Sequence, residues 1–217
     1  MQDPAPPAVA PGDLGRDGML AFQAGDEAAF DRIVERHWVS VLRFIGRSVA
    51  DAGRAEDLTQ EVFIRVYRSR TRYRPTARFN TWLFTIASHL ALNEARSRRR
   101  RSRVFRDPPG SGSPDGDDAA DDFWANIEDP RVESPGERLE RKELETVMET
   151  LVKGLTPGQR AAIELQRAGR FSYSEIAEIL GVTLPAVKSL LVRAREALKE
   201  GVDIYLQGGP GPGEKRA

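Results

Sequence analysis

The chain contains no cysteine. Disulfide scaffolding, thiol redox sensing and cysteine-held zinc or iron–sulfur centres are therefore excluded within its 217 residues. Histidine is nearly as scarce. His37 and His89 are the only two, far apart and without companions at metal-ligand spacing, so each reads as an interfacial or satisfied side chain. No phosphate-cradling glycine-rich loop, HExxH or nucleophile elbow occurs. Glu56, Asp57 and Glu61 are a group of carboxylates with no further support for a magnesium site. These absences predict a non-enzyme with no catalytic residue, no metal, no cofactor and no small-molecule substrate. No run of about 18 apolar residues is present, and the opening MQDPAPPAVAPGDLG has neither a basic n-region nor an apolar h-region. The expectation is a cytoplasmic protein without membrane insertion.

Lysine is missing from the first 106 residues, which carry 19 arginines against 12 acidic side chains. Residues 107–140 hold 11 acidic side chains and 2 arginines, and residues 141–217 hold 12 basic and 10 acidic. The formal net charge of zero thus conceals two basic regions separated by an acidic strip. Arginine suits bidentate phosphate recognition, although high genomic GC content gives the same bias.

The stretch from Phe171 to Glu200 is the most informative. Ser172 and Glu175 have capping-box spacing, with Phe171 and Ile176 placed as a hydrophobic staple. Gly181 permits a turn, Val182 is placed to plug the angle, Thr183 caps a second helix, and Pro185 is tolerated in its first turn. Val187, Leu191, Ala194 and Leu198 form the apolar stripe of that helix. This is the pattern of a helix-turn-helix, whose second helix enters the DNA major groove; a plain helical hairpin with a solvated basic face is the alternative.

Upstream, residues 1–18 read as a flexible segment and a helix is expected from near Met19, with Asp26 capping the next. Gly46 to Arg54 reads as a break. In AEDLTQEVFIRVYRSR, Leu58, Val62, Phe63, Val66 and Tyr67 make an apolar face, leaving Asp57, Gln60, Glu61 and Arg65 to a partner or to water. Asn80 or Thr81 is placed to cap a helix carrying Trp82, Leu83, Ile86 and Leu90 that ends in Arg96, Arg98, Arg99, Arg100, Arg101 and Arg103. That arginine density is a phosphate-binding footprint, and Tyr73, Phe79 and Trp82 just before it are either base-stacking platforms or core residues. Residues 104–136 have the composition of a linker, with Phe123 and Trp124 as exceptions. Helices resume near Glu137. The first ends at Gly154, and the next is capped by Thr156, Pro157 and Gln159.

The predicted fold is all-α: two small helical domains, 19–103 and 137–200, joined by a flexible acidic linker, with the helix-turn-helix in the second and a tail over 201–217. In the order of these motifs the chain resembles the sigma factors of bacterial RNA polymerase, in the extracytoplasmic function (ECF) subfamily of the sigma-70 family. AEDLTQEVFIRVYR is similar to region 2.2, which docks on the β′ clamp. The resemblance implies core binding by Asp57, Gln60, Glu61 and Phe63. FNTWLFTIASHLALNEARSRRR resembles regions 2.3 and 2.4, implying −10 element contacts by Phe79, Asn80, Trp82, Asn93, Arg96, Arg99 and Arg100. SYSEIAEILGVTLPAVKSLLVRARE resembles region 4.2, implying −35 contacts by Leu184, Pro185, Lys188, Ser189 and Arg193. Ala186 and Leu190 depart from the family's usual Thr and Arg, and His89 and Asn93 from its usual Asn and Asp. The implied partners are core RNA polymerase through its β′ clamp and β subunit, promoter DNA, and an anti-sigma factor, in a stress or envelope response. A free-standing helix-turn-helix regulator is the alternative, although no dimer surface or sensor domain is evident.

Overall fold

The computed structural model describes residues 12–49, 51–103, 135–168 and 171–207. All regular structure among them is helical. One group comprises α1 (Leu14–Gln23), α2 (Glu27–Val49), α3 (Ala52–Arg68) and α4 (Phe79–Arg103); the second comprises α5 (Pro135–Gly154), α6 (Pro157–Arg167), α7 (Tyr173–Leu180) and α8 (Leu184–Leu206). The local signals act as read. Asp26 accepts the Ala29 N–H, Thr156 and Gln159 close a capping box, Ser172 and Glu175 close another, and Thr183 accepts the Ala186 N–H. Gly181 ends α7 in the left-handed region with φ 65°, which glycine adopts without a Cβ penalty.

Several boundaries differ from expectation. The helix expected from Met19 begins at Leu14, because Asp13 accepts the Arg16 N–H and Met19 and Phe22 anchor the helix in the core. Helix α2 continues through Gly46 to Val49, since Ile45 and Val49 are buried and the Ser48 hydroxyl donates to the Phe44 carbonyl. Helix α8 runs beyond Glu200 to Leu206: Gly201 lies so close to Leu151 that a Cβ would sit 2.2 Å from its Cδ2, and Val202 packs on the core. Val182 is exposed rather than plugged between helices. Phe123, Trp124 and the rest of 104–134 lie outside the described residues.

In the first group α2 packs against α1, α3 and α4, while in the second α8 is met by α5, α6 and α7. The two groups share one continuous apolar cluster. Phe84 of α4 bridges them, its ring 5.4 Å from Phe44 on one side and 5.1 Å from Phe171 on the other. Polar contacts surround that seam. Glu164, whose side chain is 3% exposed, pairs with Arg47 at 3.2 Å. Arg160 donates to the carbonyls of Val152, Lys153 and Leu155 at the end of α5, and at 3.1 Å to Ser48 near the end of α2. One guanidinium thus meets the negative ends of two helix dipoles from two groups.

Glu175 adds a further link. Its carboxylate accepts from the Ser172 N–H and hydroxyl and from the Thr81 hydroxyl at 3.3 Å, with Arg78 at 3.6 Å. Burial raises its pKa, but the Ser172 hydrogen bonds, Arg78 and Thr81 outweigh that effect and hold it below the ordinary 4.5. A carboxyl depressed in the folded state stabilises above its unfolded value, and that stabilisation is lost as pH falls through the folded one. The stability gap between wild type and Glu175→Gln, measured by urea unfolding, is therefore expected to be full above pH 4.5 and to close below it. Arg160→Ala, which leaves several carbonyls without their donor, is expected to cost about 2–4 kcal/mol, read as a Tm lowered by several degrees.

Candidate nucleic-acid and polymerase interfaces

Three exposed faces gather most of the residues singled out in the sequence. On α3, Asp57, Gln60 and Glu61 are solvent-facing, joined by exposed Ile64 and Arg68 at helical spacing. Asp57 lies 3.7 Å from Arg54, and Glu61 pairs with Arg65 at 2.8 Å. Surface pairs of this kind contribute little, so the carboxylates remain accessible to a stronger basic partner. Phe63 does not belong to this face. It is buried and stacked 5.6 Å from Trp38, because it occupies the apolar side of α3. Ile64 takes its place on the surface, a residue that the apolar pattern alone leaves unmarked.

On α4, Trp82, Ile86, His89, Asn93, Arg96 and Arg100 recur at three- and four-residue steps, and none is buried. At 1.5 Å per residue this stripe is about 27 Å long, the length of roughly eight base pairs. It runs from an aromatic end to a basic end. Ile86 and His89 were not among the predicted contacts and are identified only by sharing the face. Asn80 sits at the end of the opposite, buried row of Phe84, Ala87 and Ala91 and is half-buried. Phe79 is fully buried, with its ring 5.1 Å from His37 and 5.7 Å from Trp82. It packs beneath Trp82 and is not part of the exposed stripe. The Arg99 side chain lies outside the described residues. Arg98 is engaged with the Val49 carbonyl at 3.1 Å, and Arg54 with Glu94 at 2.9 Å, so neither belongs to the stripe.

Trp82 is held edge-on by Tyr73, 4.8 Å away. Burial, followed by the negative charge of Asp13, pushes the Tyr73 phenol up to about 12, so the ring that orients Trp82 stays neutral through the physiological range. The expected cap of α4 is neither Asn80 nor Thr81. The Phe79 N–H donates to Asp13 Oδ2 at 2.8 Å, and the buried Thr81 side chain turns to Glu175.

The third face belongs to the α7–Gly181–α8 helix-turn-helix. Pro185, Lys188 and Ser189 lie together with Val192 along one side of α8, and Leu184 is exposed at its start. Arg193 is half-buried, its Nε covered and without a hydrogen-bond partner. Arg195 holds the domain together instead. Its Nη2 donates to Gln166 and to the Tyr173 hydroxyl, tying α8 to α6 and α7.

The arrangement matches known proteins over both groups. The model of sigma-70 region 2 matches residues 33–101 and that of sigma-70, region 4 matches residues 146–198. The RNA polymerase sigma-H factor of Pseudomonas aeruginosa is 32% identical over 188 residues, covering 85% of this chain and 92% of that protein. The ECF RNA polymerase sigma-E factor of Escherichia coli K12 is 31% identical over 187 residues, with 85% of this chain and 92% of that protein covered. The chain belongs to the ECF subfamily of sigma-70 factors. Two solved structures share the fold. CnrH, in complex with the cytosolic domain of CnrY, has a TM-score of 0.57 at 21% identity over 88% of this chain and 97% of that one. The sigma factor RpoE of Bartonella quintana, in complex with the anti-sigma factor NepR, has a TM-score of 0.56 at 20% identity over 81% and 97%.

As a sigma factor the protein binds core RNA polymerase and promoter DNA and is not an enzyme. Its first helix, α1, precedes the matched residues of region 2. The sigma factor's Phe63 and Asp57 are expected to separate cleanly on mutation. Phe63→Ala, a large-to-small change in the core, is expected to cost about 3–5 kcal/mol in chemical denaturation. Asp57→Ala is expected to change stability by less than about 0.5 kcal/mol, as for an exposed substitution.

Proposed function

We propose that the three faces divide the work of initiation: α3 docks on the polymerase clamp through Asp57, Gln60, Glu61 and Ile64; α4 engages the −10 element; and α8 reads the −35 element through Leu184, Pro185, Lys188 and Ser189. The observation that carries this reading is the α4 stripe. An aromatic platform at Trp82 followed by Asn93, Arg96 and Arg100 fits a junction at which an unstacked base meets phosphate-contacted duplex. Base capture and backbone contacts offset the few kcal/mol that unstacking a step costs. Phe79 and Phe63 act from beneath these surfaces, as supports. Arg193, half-buried with its Nε covered, contributes to the −35 face through its terminal amino groups.

The packed arrangement of the two groups and the promoter-bound one are alternative states in this reading. The −10 and −35 elements are about 25 base pairs apart, or about 85 Å at 3.4 Å per pair, whereas α4 and α7 are in direct contact. Region 4 leaves region 2 when both elements are occupied. Residues 104–134 reach about 100 Å at full extension, enough for that separation. Tethering both readers to one polymerase raises their effective concentration, so neither needs to bind DNA tightly alone. The structural relative bound to the anti-sigma factor NepR supports an anti-sigma factor as the regulator. The setting in this reading is a stress or envelope response in the cytoplasm.

Run-off transcription from a library of promoter fragments, with purified core polymerase, tests the reading. Transcripts are expected only when this protein is added, and Asp57→Ala is expected to lower core affinity. In filter binding of the holoenzyme to a transcribed fragment, Arg96→Ala with Arg100→Ala is expected to reduce the slope of log affinity against log salt by about 0.7–0.9 per arginine. An unchanged slope removes these arginines from the phosphate contacts.

A further inference from the structure

We infer that Asp13 is a positioning residue for −10 recognition, fixing where α4 begins and hence how Trp82 is presented to DNA. The inference rests on the reading of α4 given above. Asp13 uses both carboxylate oxygens. Oδ1 accepts the Arg16 N–H at 3.2 Å and caps α1; Oδ2 accepts the Phe79 N–H at 2.8 Å and caps α4. Amides of the first helical turn have no intrahelical partner, so one side chain satisfies orphan donors of two helices far apart in sequence. Its negative charge also meets the positive ends of both dipoles.

The rest of α1 is shaped to the same end. Gly15 lies directly against the Phe79 ring, where an added Cβ would fall 2.1 Å from Cδ1. No side chain larger than hydrogen fits between α1 and that ring. At the other end of α1, Gln23 Nε2 donates to the carbonyls of Arg70 at 2.6 Å and Tyr73 at 3.0 Å. This fixes the turn that delivers Tyr73 to Trp82. Helix α1 therefore grips both parts of the Trp82 cradle, Phe79 through Asp13 and Gly15, and Tyr73 through Gln23. No residue of α1 belongs to the α4 stripe, so its effect on that stripe is transmitted through the rings.

The chemistry of asparagine makes the inference testable. Asp13→Asn keeps the size of the side chain but has one acceptor oxygen, so it caps α1 or α4 and presents an amide N–H₂ to the other helix's donor. Gly15→Ala displaces Phe79 by a different route. Each variant is assembled, as the full chain, with core polymerase and titrated onto a transcribed promoter fragment, once as intact duplex and once pre-melted across the −10 element. Core affinity and Tm are measured alongside. The expected result is core affinity equal to wild type, with binding to the pre-melted fragment weakened about fivefold to tenfold, the size of one lost cap. Asp13→Asn is also expected to weaken binding less in a Trp82→Ala background, because both act through the same ring. The inference is overturned if Asp13→Asn and Gly15→Ala lower Tm and leave pre-melted binding unchanged, or if core and DNA affinity fall together. A Trp82→Ala holoenzyme that binds the pre-melted fragment normally overturns the reading of α4 itself, and the inference with it.

Discussion

The first turn of α4 is held by two carboxylates from distant parts of the chain. Asp13 accepts the Phe79 N–H from one side and Glu175 accepts the Thr81 hydroxyl from the other. A helix start carries unpaired donors and a partial positive charge, so acidic partners there are favourable. At this point they do more than cap. They attach α4 to α1 on one flank and to α7 on the other, and they set the direction from which its exposed stripe faces outward. The same helix buries Leu83, Phe84, Ala87, Leu90 and Ala91, leaves Trp82 partly buried against the core, and exposes Asn93, Arg96 and Arg100. Burial of the first set contributes on the order of 1.5–3 kcal/mol for each large apolar side chain. The exposed set is then free to spend its hydrogen-bonding capacity on a partner.

The seam between the helical groups combines a narrow apolar contact with a border of polar ones. Phe84 and Phe171 supply the dry part. The Arg47–Glu164 pair is lopsided, with Arg47 41% exposed and Glu164 3% exposed. Separation returns both charges to water, which offsets much of the Coulomb energy lost, so the pair gives the closed state direction more than strength. Arg160 is more committed: burial lowers its pKa, and its guanidinium is spread over carbonyls of α5 and α2. Interfaces between domains of one chain are commonly of this mixed type and permit relative motion. A promoter and a polymerase that bind only the extended form draw the equilibrium toward it by their differential affinity.

The parts of the fold that were legible in the sequence are those written locally. Both capping boxes, the Thr183 cap and the left-handed Gly181 follow from residues within four positions of each other, and the structure reproduces them. The cap of α4 was not legible, because its acceptor, Asp13, is contributed from another helix and no local spacing signals it. Phe63 is buried on the apolar face that its spacing predicts, whereas the resemblance implies a role for it in core binding. For Phe79 the sequence leaves stacking platform and core residue open, and the finished helix buries it. Val182, expected to plug the turn, is exposed, as is Ile64, which the apolar pattern leaves unmarked. The candidate faces were legible in outline through the sigma-factor resemblance, and the helix geometry shows that Ile64, Ile86 and His89 share them while Phe63 and Phe79 are buried.

Because the chain has no cysteine, a pair of engineered cysteines can be labelled without background. Fluorescence energy transfer between Arg43→Cys on α2 and Asp203→Cys on α8, followed as the free protein joins core polymerase and then a transcribed promoter, tests the opening of the seam most directly. Strong transfer is expected in the free protein and weak transfer in the initiating complex, consistent with readers about 85 Å apart. Transfer that stays at its free-state value while run-off transcript accumulates would contradict a closed form that opens on the promoter.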